Sequence, residues 1–370
     1  MRESILFSPV KLNSLEIKNR FVRSATNEYM ADPEGHVTER LVHIYRGLAE
    51  GGAGLIITGF MYVHPSGKSS PGQTGIYSDE LIPGLKEITD TVHEAGDGGG
   101  EARVVAQIVH GGRQVRAKYA HGDIIAPSAI TDKKTGITPR EMIEEEIESA
   151  IGWFTDAIIR AKESGFDGVQ LHCAHGYLLS QFHSPYTNRR ADRWGGSLEN
   201  RTRITVELVR KARDRVGEDF PILIKMNASD FIDGGIDLPE SIEVARILSR
   251  NGIDAIEISG GMAESEGNPS VRKDISREEE EAYFRKYAEQ IKPAVDIPVI
   301  LVGGMRSFKV MEEIVQEGIA DLLSMSRPFI REPDLVQKFM DGKKDRADCI
   351  SCSKCFNLRG IRCAQIAGKS

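Results

Sequence analysis

The chain has 370 residues, 40% of them hydrophobic and 28% charged, with a formal net charge of -7. This is the composition of a globule large enough for one barrel-sized domain or two medium ones, and not of a disordered or fibrous chain. Lys and Arg are scattered without a basic stripe, which speaks against nucleic acid, and no run of about 18 apolar residues exists to span a membrane.

In chain order, residues 1–20 (MRESILFSPVKLNSLEIKNR) lack the continuous apolar stretch of a signal peptide, so a cytoplasmic protein is expected. Within them LFSPVKLNSLEIKN reads as a short β-hairpin placed to plug one end of the fold. Apolar runs of six or seven residues then recur: RFVRSA (20–25), GLIITG (54–59), RVVAQIV (103–109) and GVQLHC (168–173). They continue with ILIKMN (222–227), AIEISG (255–260), PVILVG (298–303) and LLSMSR (322–327). Strands buried on both faces have this character. Helical patterns lie between them. TPRE (138–141) predicts a capped helix start at Thr138, and SREE (276–279) a second, closed by Pro293. Gly217, Gly252 and Gly318 fall where helices should end. The one low-complexity segment is GDGGG (96–100).

Eight strands alternating with helices predict an α/β fold of the (β/α)8 TIM-barrel type. An open doubly wound sheet is the alternative, but no G-x-G-x-x-G follows the first strand. The expected organisation is a barrel over residues 1–340 and a Cys-rich tail over 341–370.

A barrel of this type gathers its chemistry at the C-terminal strand ends. There the first strand leads into Asn27, Glu28 and Tyr29, and the third carries Gln107 and leads to His110 and Arg113. The fourth delivers His172, His175 and Tyr177, and the fifth carries Lys225 and Asn227. The seventh ends in Gly303-Gly304 and the eighth in Ser326-Arg327. Glycine turns and an arginine at those last two positions describe either a phosphate cradle or a tight turn with a surface arginine. With Gln107 and Lys225 nearby, a phosphate there suits flavin mononucleotide (FMN). Gln107 would meet the pyrimidine edge, and Lys225 would place positive charge where the reduced ring becomes anionic. His172 and His175 admit three readings: metal ligands lacking a third partner, core histidines, or paired N–H donors to a carbonyl oxygen. Tyr177 beside them suits a proton donor, which favours the last. Two rival functions stay open: a Schiff-base lyase or aldolase built on Lys225, and a non-catalytic flavin- or ligand-binding barrel that meets a partner through its tail.

The block GFDGVQLHCAHGYLLSQFHSPYTNRRADRWGGSLENRTR (165–203) resembles the central motif of the Old Yellow Enzyme family of FMN-dependent ene-reductases. NRFVRSA (19–25), IYSDELIPGLKE (76–87), VAQIVHGGR (105–113), KMNASDF (225–231), LVGGM (301–305) and SMSRPFIREPDL (324–335) extend the resemblance over residues 5–340. It implies FMN in the barrel mouth, reduced by NADH or NADPH, and hydride transfer to the β-carbon of an α,β-unsaturated carbonyl compound. It also implies that His172 and His175 bind the substrate oxygen, that Tyr177 supplies the proton, and that Tyr29 lies on the substrate side. The implied flavin-binding positions are Ser24, Ala25, Asn27, Gln107, Lys225, Gly303, Gly304, Ser326 and Arg327.

The chain departs from that family in two places. Asn27 stands where threonine or cysteine is usual, with Thr26 one residue before it. The tail sequence CISCSKCFNLRGIRC (349–363) spaces its cysteines C-x2-C-x2-C-x7-C, and no FAD domain is expected to follow it. Cys349, Cys352, Cys355 and Cys363 suit a [4Fe–4S] cluster, a structural Zn²⁺ or free thiols. The expected partners are an enone-type small molecule, an electron-donor protein for any cluster, and further copies of the chain in a homo-oligomer. Neither nucleic acid nor membrane is among them.

Overall fold

The computed structural model describes residues 2–95, 101–265 and 267–366, so the GDGGG segment lies outside the described residues. An antiparallel hairpin, β1 (Val10–Leu12) and β2 (Leu15–Ile17), precedes the first barrel strand. The eight parallel barrel strands are β3 (Phe21–Arg23), β4 (Leu55–Ile57), β6 (Arg103–Val109), β9 (Gly168–Cys173), β10 (Ile222–Asn227), β11 (Ala255–Ser259), β12 (Val299–Val302) and β13 (Leu322–Met325). Each predicted run supplies one of them. The barrel closes where β13 pairs with β3, setting Met325 opposite Arg23. Three two-residue strands decorate it: β5 (Met61–Tyr62) pairs with the end of β6, and β7 (Ile125–Ala126) pairs with β8 (Arg140–Glu141).

The outer layer consists of α1 (Glu39–Glu50), α2 (Ile82–Ala95), α3 (Glu144–Glu163), α4 (Leu178–His183) and α5 (Leu198–Val216), followed by α6 (Leu238–Arg250), α7 (Arg285–Ile291), α8 (Phe308–Gln316), α9 (Arg327–Arg331) and α10 (Leu335–Met340). Two predicted helix starts shift. Arg140 N donates to the Ile124 carbonyl and Met142 N to that of Ala126, which commits TPRE to β8. Helix α3 therefore starts only at Glu144, with Glu146 Oε2 accepting from Ile143 N. SREE closes a single 3-10 turn, Glu278–Glu280, because the backbone of Ala282 turns to φ +50°. Helix α7 starts after that break, and Pro293 lies in the 3-10 turn that ends it. Gly217 (φ +80°) caps α5, while Gly252 and Gly318, also at positive φ, follow the caps of α6 and α8.

Successive side chains on a strand alternate in direction, so the barrel interior is layered. Val22, Leu55, Ile57, Val105, Leu223, Ala255, Ile300 and Leu322 form one apolar cluster at its base with Leu12, Leu15 and Ile17 of the hairpin. The hairpin thus plugs the N-terminal end, and Asn13 Nδ2 fastens it to the Glu218 carbonyl at 2.6 Å and to the Asp254 carboxylate at 3.0 Å. Two residues further along the same strands the inward layer turns polar: Ser24, Gln107, Lys225, Glu257 and Ser324, all buried. Among the described residues no helix is long and apolar enough to cross a membrane.

Candidate active site

The end of β9 and the short loop after it bring three side chains together. The rings of His172 and His175 lie 5.2 Å apart and nearly perpendicular, and that of Tyr177 lies 4.8 Å from His172. Phe60 packs against Tyr177 at 5.4 Å. His175 adopts φ +60°, a left-handed conformation uncommon for a non-glycine residue, so its surroundings must hold it there. Asn227 Oδ1 accepts from His175 N at 3.1 Å, and the ring Nε2 lies 2.7 Å from Ser259 Oγ. All three side chains border one cavity in the barrel mouth.

Burial, with the positive neighbour Lys225, lowers the pKa of His175 to about 3. Burial first, then His175 and Lys225, holds His172 well below its ordinary value. Both rings are therefore neutral, with one N–H donor each. His172 Nδ1 is buried without a protein partner. Burial raises the Tyr177 phenol above its usual value, which keeps it an O–H donor. Cys173, between the histidines in sequence, faces away: its Sγ lies 3.3 Å from His183 Nδ1 under the site.

Eight of the nine residues proposed from sequence for the flavin fall on the same cavity. Ser24, Ala25, Asn27, Gln107, Lys225, Gly304, Ser326 and Arg327 border it, as does Tyr29 on the histidine side. Gly303 sits beside Gly304, its carbonyl accepting from Tyr283 N, and both glycines have positive φ. Asn27 Nδ2 donates to Ser70 Oγ at 2.6 Å, while the hydroxyl of Thr26 pairs with Ser326 Oγ at 2.6 Å. His110 and Arg113 are turned elsewhere: His110 meets Ser66 and the Trp153 ring, and Arg113 forms a fully buried ion pair with Glu264.

A buried network under the mouth was not anticipated from sequence. Lys225 Nζ donates to Glu257 Oε1 at 3.0 Å and to Ser24 Oγ at 2.9 Å. Gln170 Nε2 donates to Glu257 Oε2 at 2.9 Å, and Gln107 Nε2 to Gln170 Oε1 at 2.6 Å. The signal available in sequence was a Gln and a Glu each set inside an otherwise apolar strand.

The tail folds against the mouth. Ser351 and Phe356 border the same cavity, and Ile361 N donates to the Glu28 carbonyl. Arg327 donates to the Ser351 carbonyl at 2.8 Å and to Ser353 Oγ at 3.0 Å. It borders a second, small cavity lined by Cys349, Cys352, Cys355 and Cys363. Among the described residues the one compact His/Cys/Asp/Glu group is Asp32, Glu34 and His36, in an exposed loop.

FMN fits the mouth on three counts. Gln107 Oε1 is a buried acceptor without a protein partner, Lys225 offers a cation to the same cavity, and Gly304, Ser326 and Arg327 line it as well. Fold and mouth together define a (β/α)8 flavoprotein oxidoreductase. The chain belongs to the NADH:flavin oxidoreductase / NADH oxidase family, whose model matches residues 5–346, and this is the Old Yellow Enzyme family of the resemblance. It is 39% identical to the NADH oxidase of Thermoanaerobacter brockii over 98% of this chain and 56% of that protein. It is 35% identical to the NADPH dehydrogenase of Bacillus subtilis (strain 168) over 89% of this chain and 92% of that one. A solved 2-naphthoyl-CoA reductase in complex with 2-naphthoyl-CoA superposes with a TM-score of 0.87 at 32% identity, covering 95% of this chain and 54% of that one. The chain thus spans about half the length of some relatives and nearly all of others.

Proposed function

We propose that this chain takes reducing equivalents from NAD(P)H and reduces the activated C=C bond of α,β-unsaturated carbonyl compounds. The observation that carries the reading is the convergence of His172, His175 and Tyr177 on the cavity that Gln107 and Lys225 also border. Ser24, Ala25, Asn27, Gln107, Lys225, Gly303, Gly304, Ser326 and Arg327 would hold FMN there. Held by these residues, FMN would supply the hydride chemistry that links NAD(P)H to the substrate's β-carbon. The neutral His172 and His175 each donate an N–H to the carbonyl oxygen and stabilise the enolate charge that develops on it. The Tyr177 hydroxyl gives its proton to the α-carbon and regains one from solvent. Tyr29 closes the substrate side. The balance is one hydride and one proton added across the C=C bond per NAD(P)H oxidised.

A Schiff-base reading finds less support. An imine-forming lysine needs an unpaired amine, and Lys225 is engaged with Glu257 and Ser24. We assign residues 1–340 to the barrel and 341–370 to the tail, and its four cysteines, spaced C-x2-C-x2-C-x7-C around one cavity, to an iron–sulfur cluster. An electron-donor protein for that cluster, a homo-oligomeric state and a cytoplasmic location complete the proposal.

The test is enone reduction by purified protein. His172→Ala and Tyr177→Phe should each lower kcat/KM roughly a hundredfold, while flavin reduction by NAD(P)H continues. If neither variant slows enone reduction, the assignment is wrong.

A further inference from the structure

We infer that Glu257, which borders neither the cavity nor a ligand, decides which hydrogen-bonding face the barrel mouth presents to its cofactor. It is a positioning residue, and the inference rests on the FMN reading above. Glu257 lies at the centre of β11, fully buried, directly opposite Lys225 of β10 in the strand register. Its Oε1 accepts from Lys225 Nζ at 3.0 Å, Ser24 Oγ at 2.8 Å and Ser324 Oγ at 2.8 Å, and its Oε2 accepts from Gln170 Nε2 at 2.9 Å. Burial opposes the charge, but Lys225 and these hydrogen bonds outweigh it and leave the pKa below its ordinary value.

An ionised carboxylate accepts hydrogen bonds and donates none. Gln170 must therefore turn its NH2 group to Glu257, which points its Oε1 toward β6. Gln107, its partner in the strand register, must then turn its own NH2 group to that oxygen. The amide oxygen of Gln107 is left as a buried acceptor without a protein partner, on a residue that borders the mouth. Turning either amide over would set oxygen against oxygen and abandon a buried hydrogen bond. The polarity of one carboxylate is thus passed through two amides to the ligand. The mouth shows an acceptor from Gln107 beside a cation from Lys225. This suits a heteroaromatic edge with an N–H donor close to a position that takes up negative charge, as the pyrimidine edge of a flavin has.

The same carboxylate tempers the charge that Lys225 presents, so Glu257 has two separable effects: the amide relay sets ligand selectivity, and the ion pair sets the reduction potential. The full chain is stripped of flavin and titrated with FMN and with 3-methyl-FMN, which lacks the N3–H donor, with circular dichroism and melting to verify the fold. The native protein should prefer FMN by roughly tenfold or more. Gln170→Met frees Gln107 to turn over and should bring that ratio toward one, with little change in the midpoint potential of bound FMN. Glu257→Gln, whose amide can donate or accept, should also lose the ratio and raise the midpoint potential, because Lys225 is released from its counter-charge. If Gln170→Met does not fold, the ratio in Glu257→Gln decides alone. An unchanged ratio in folded variants that still bind FMN overturns the relay. Failure of the native chain to bind FMN overturns the cofactor reading and the relay with it.

Discussion

His110, His172, His175 and His183 share one electrostatic condition: burial depresses all four, to about 3 for His110, His175 and His183 and well below the ordinary value for His172. A histidine whose pKa is lower folded than unfolded contributes stability that is fully present above the unfolded value near 6.5. That stability is lost as pH falls toward the folded value. Each such residue costs the folded state up to about 2 kcal/mol between pH 7 and pH 5. His93, raised chiefly by its hydrogen bond to Asp167, acts in the opposite sense. The melting temperature should therefore fall clearly between pH 7.5 and pH 5, and a flat profile would mean that these rings protonate without unfolding. At this scale the sequence was uneven in what it disclosed. His172, His175 and Tyr177 sit within six residues of chain, so their grouping was legible before any fold was known. Gln170 and Glu257 acquire their meaning only from cross-strand neighbours, a relation that strand register creates and linear order hides.

Among the elements, the β1–β2 hairpin makes the sharpest prediction. Leu12 is fully buried against the base layer of the barrel. Leu12→Ala should cost about 2–4 kcal/mol in urea denaturation, by lost transfer energy and a cavity that the strands cannot close over. FMN affinity should stay within twofold, because the polar layer separates the plug from the mouth; a larger loss would show that the two ends are coupled. The strands were legible as apolar runs because both of their faces are buried. The helix starts at TPRE and SREE were not, since capping chemistry marks any turn whose backbone donors need a partner. In both places competing backbone bonds or a left-handed residue postponed the helix.

For the whole molecule, the question is how tail and barrel work as one unit. The tail has neither helical nor strand periodicity, so its packing over the mouth was not legible, although its cysteine spacing was. Protein purified without oxygen should carry about four iron and four sulfide per chain, with little zinc. Cys352→Ser should lower the iron content sharply while FMN remains bound. Full zinc occupancy in the native chain would reverse the assignment. Barrel closure has a consequence for synthesis. The first barrel strand finds one of its two neighbours only in the last, and Thr26 meets Ser326 across 300 residues. At ribosomal rates of 5–20 residues per second, that strand waits roughly 15–60 s with one edge unpaired. Nascent chains stalled before Leu322 should be cut readily by protease near Phe21, and chains stalled well past Met340 should resist.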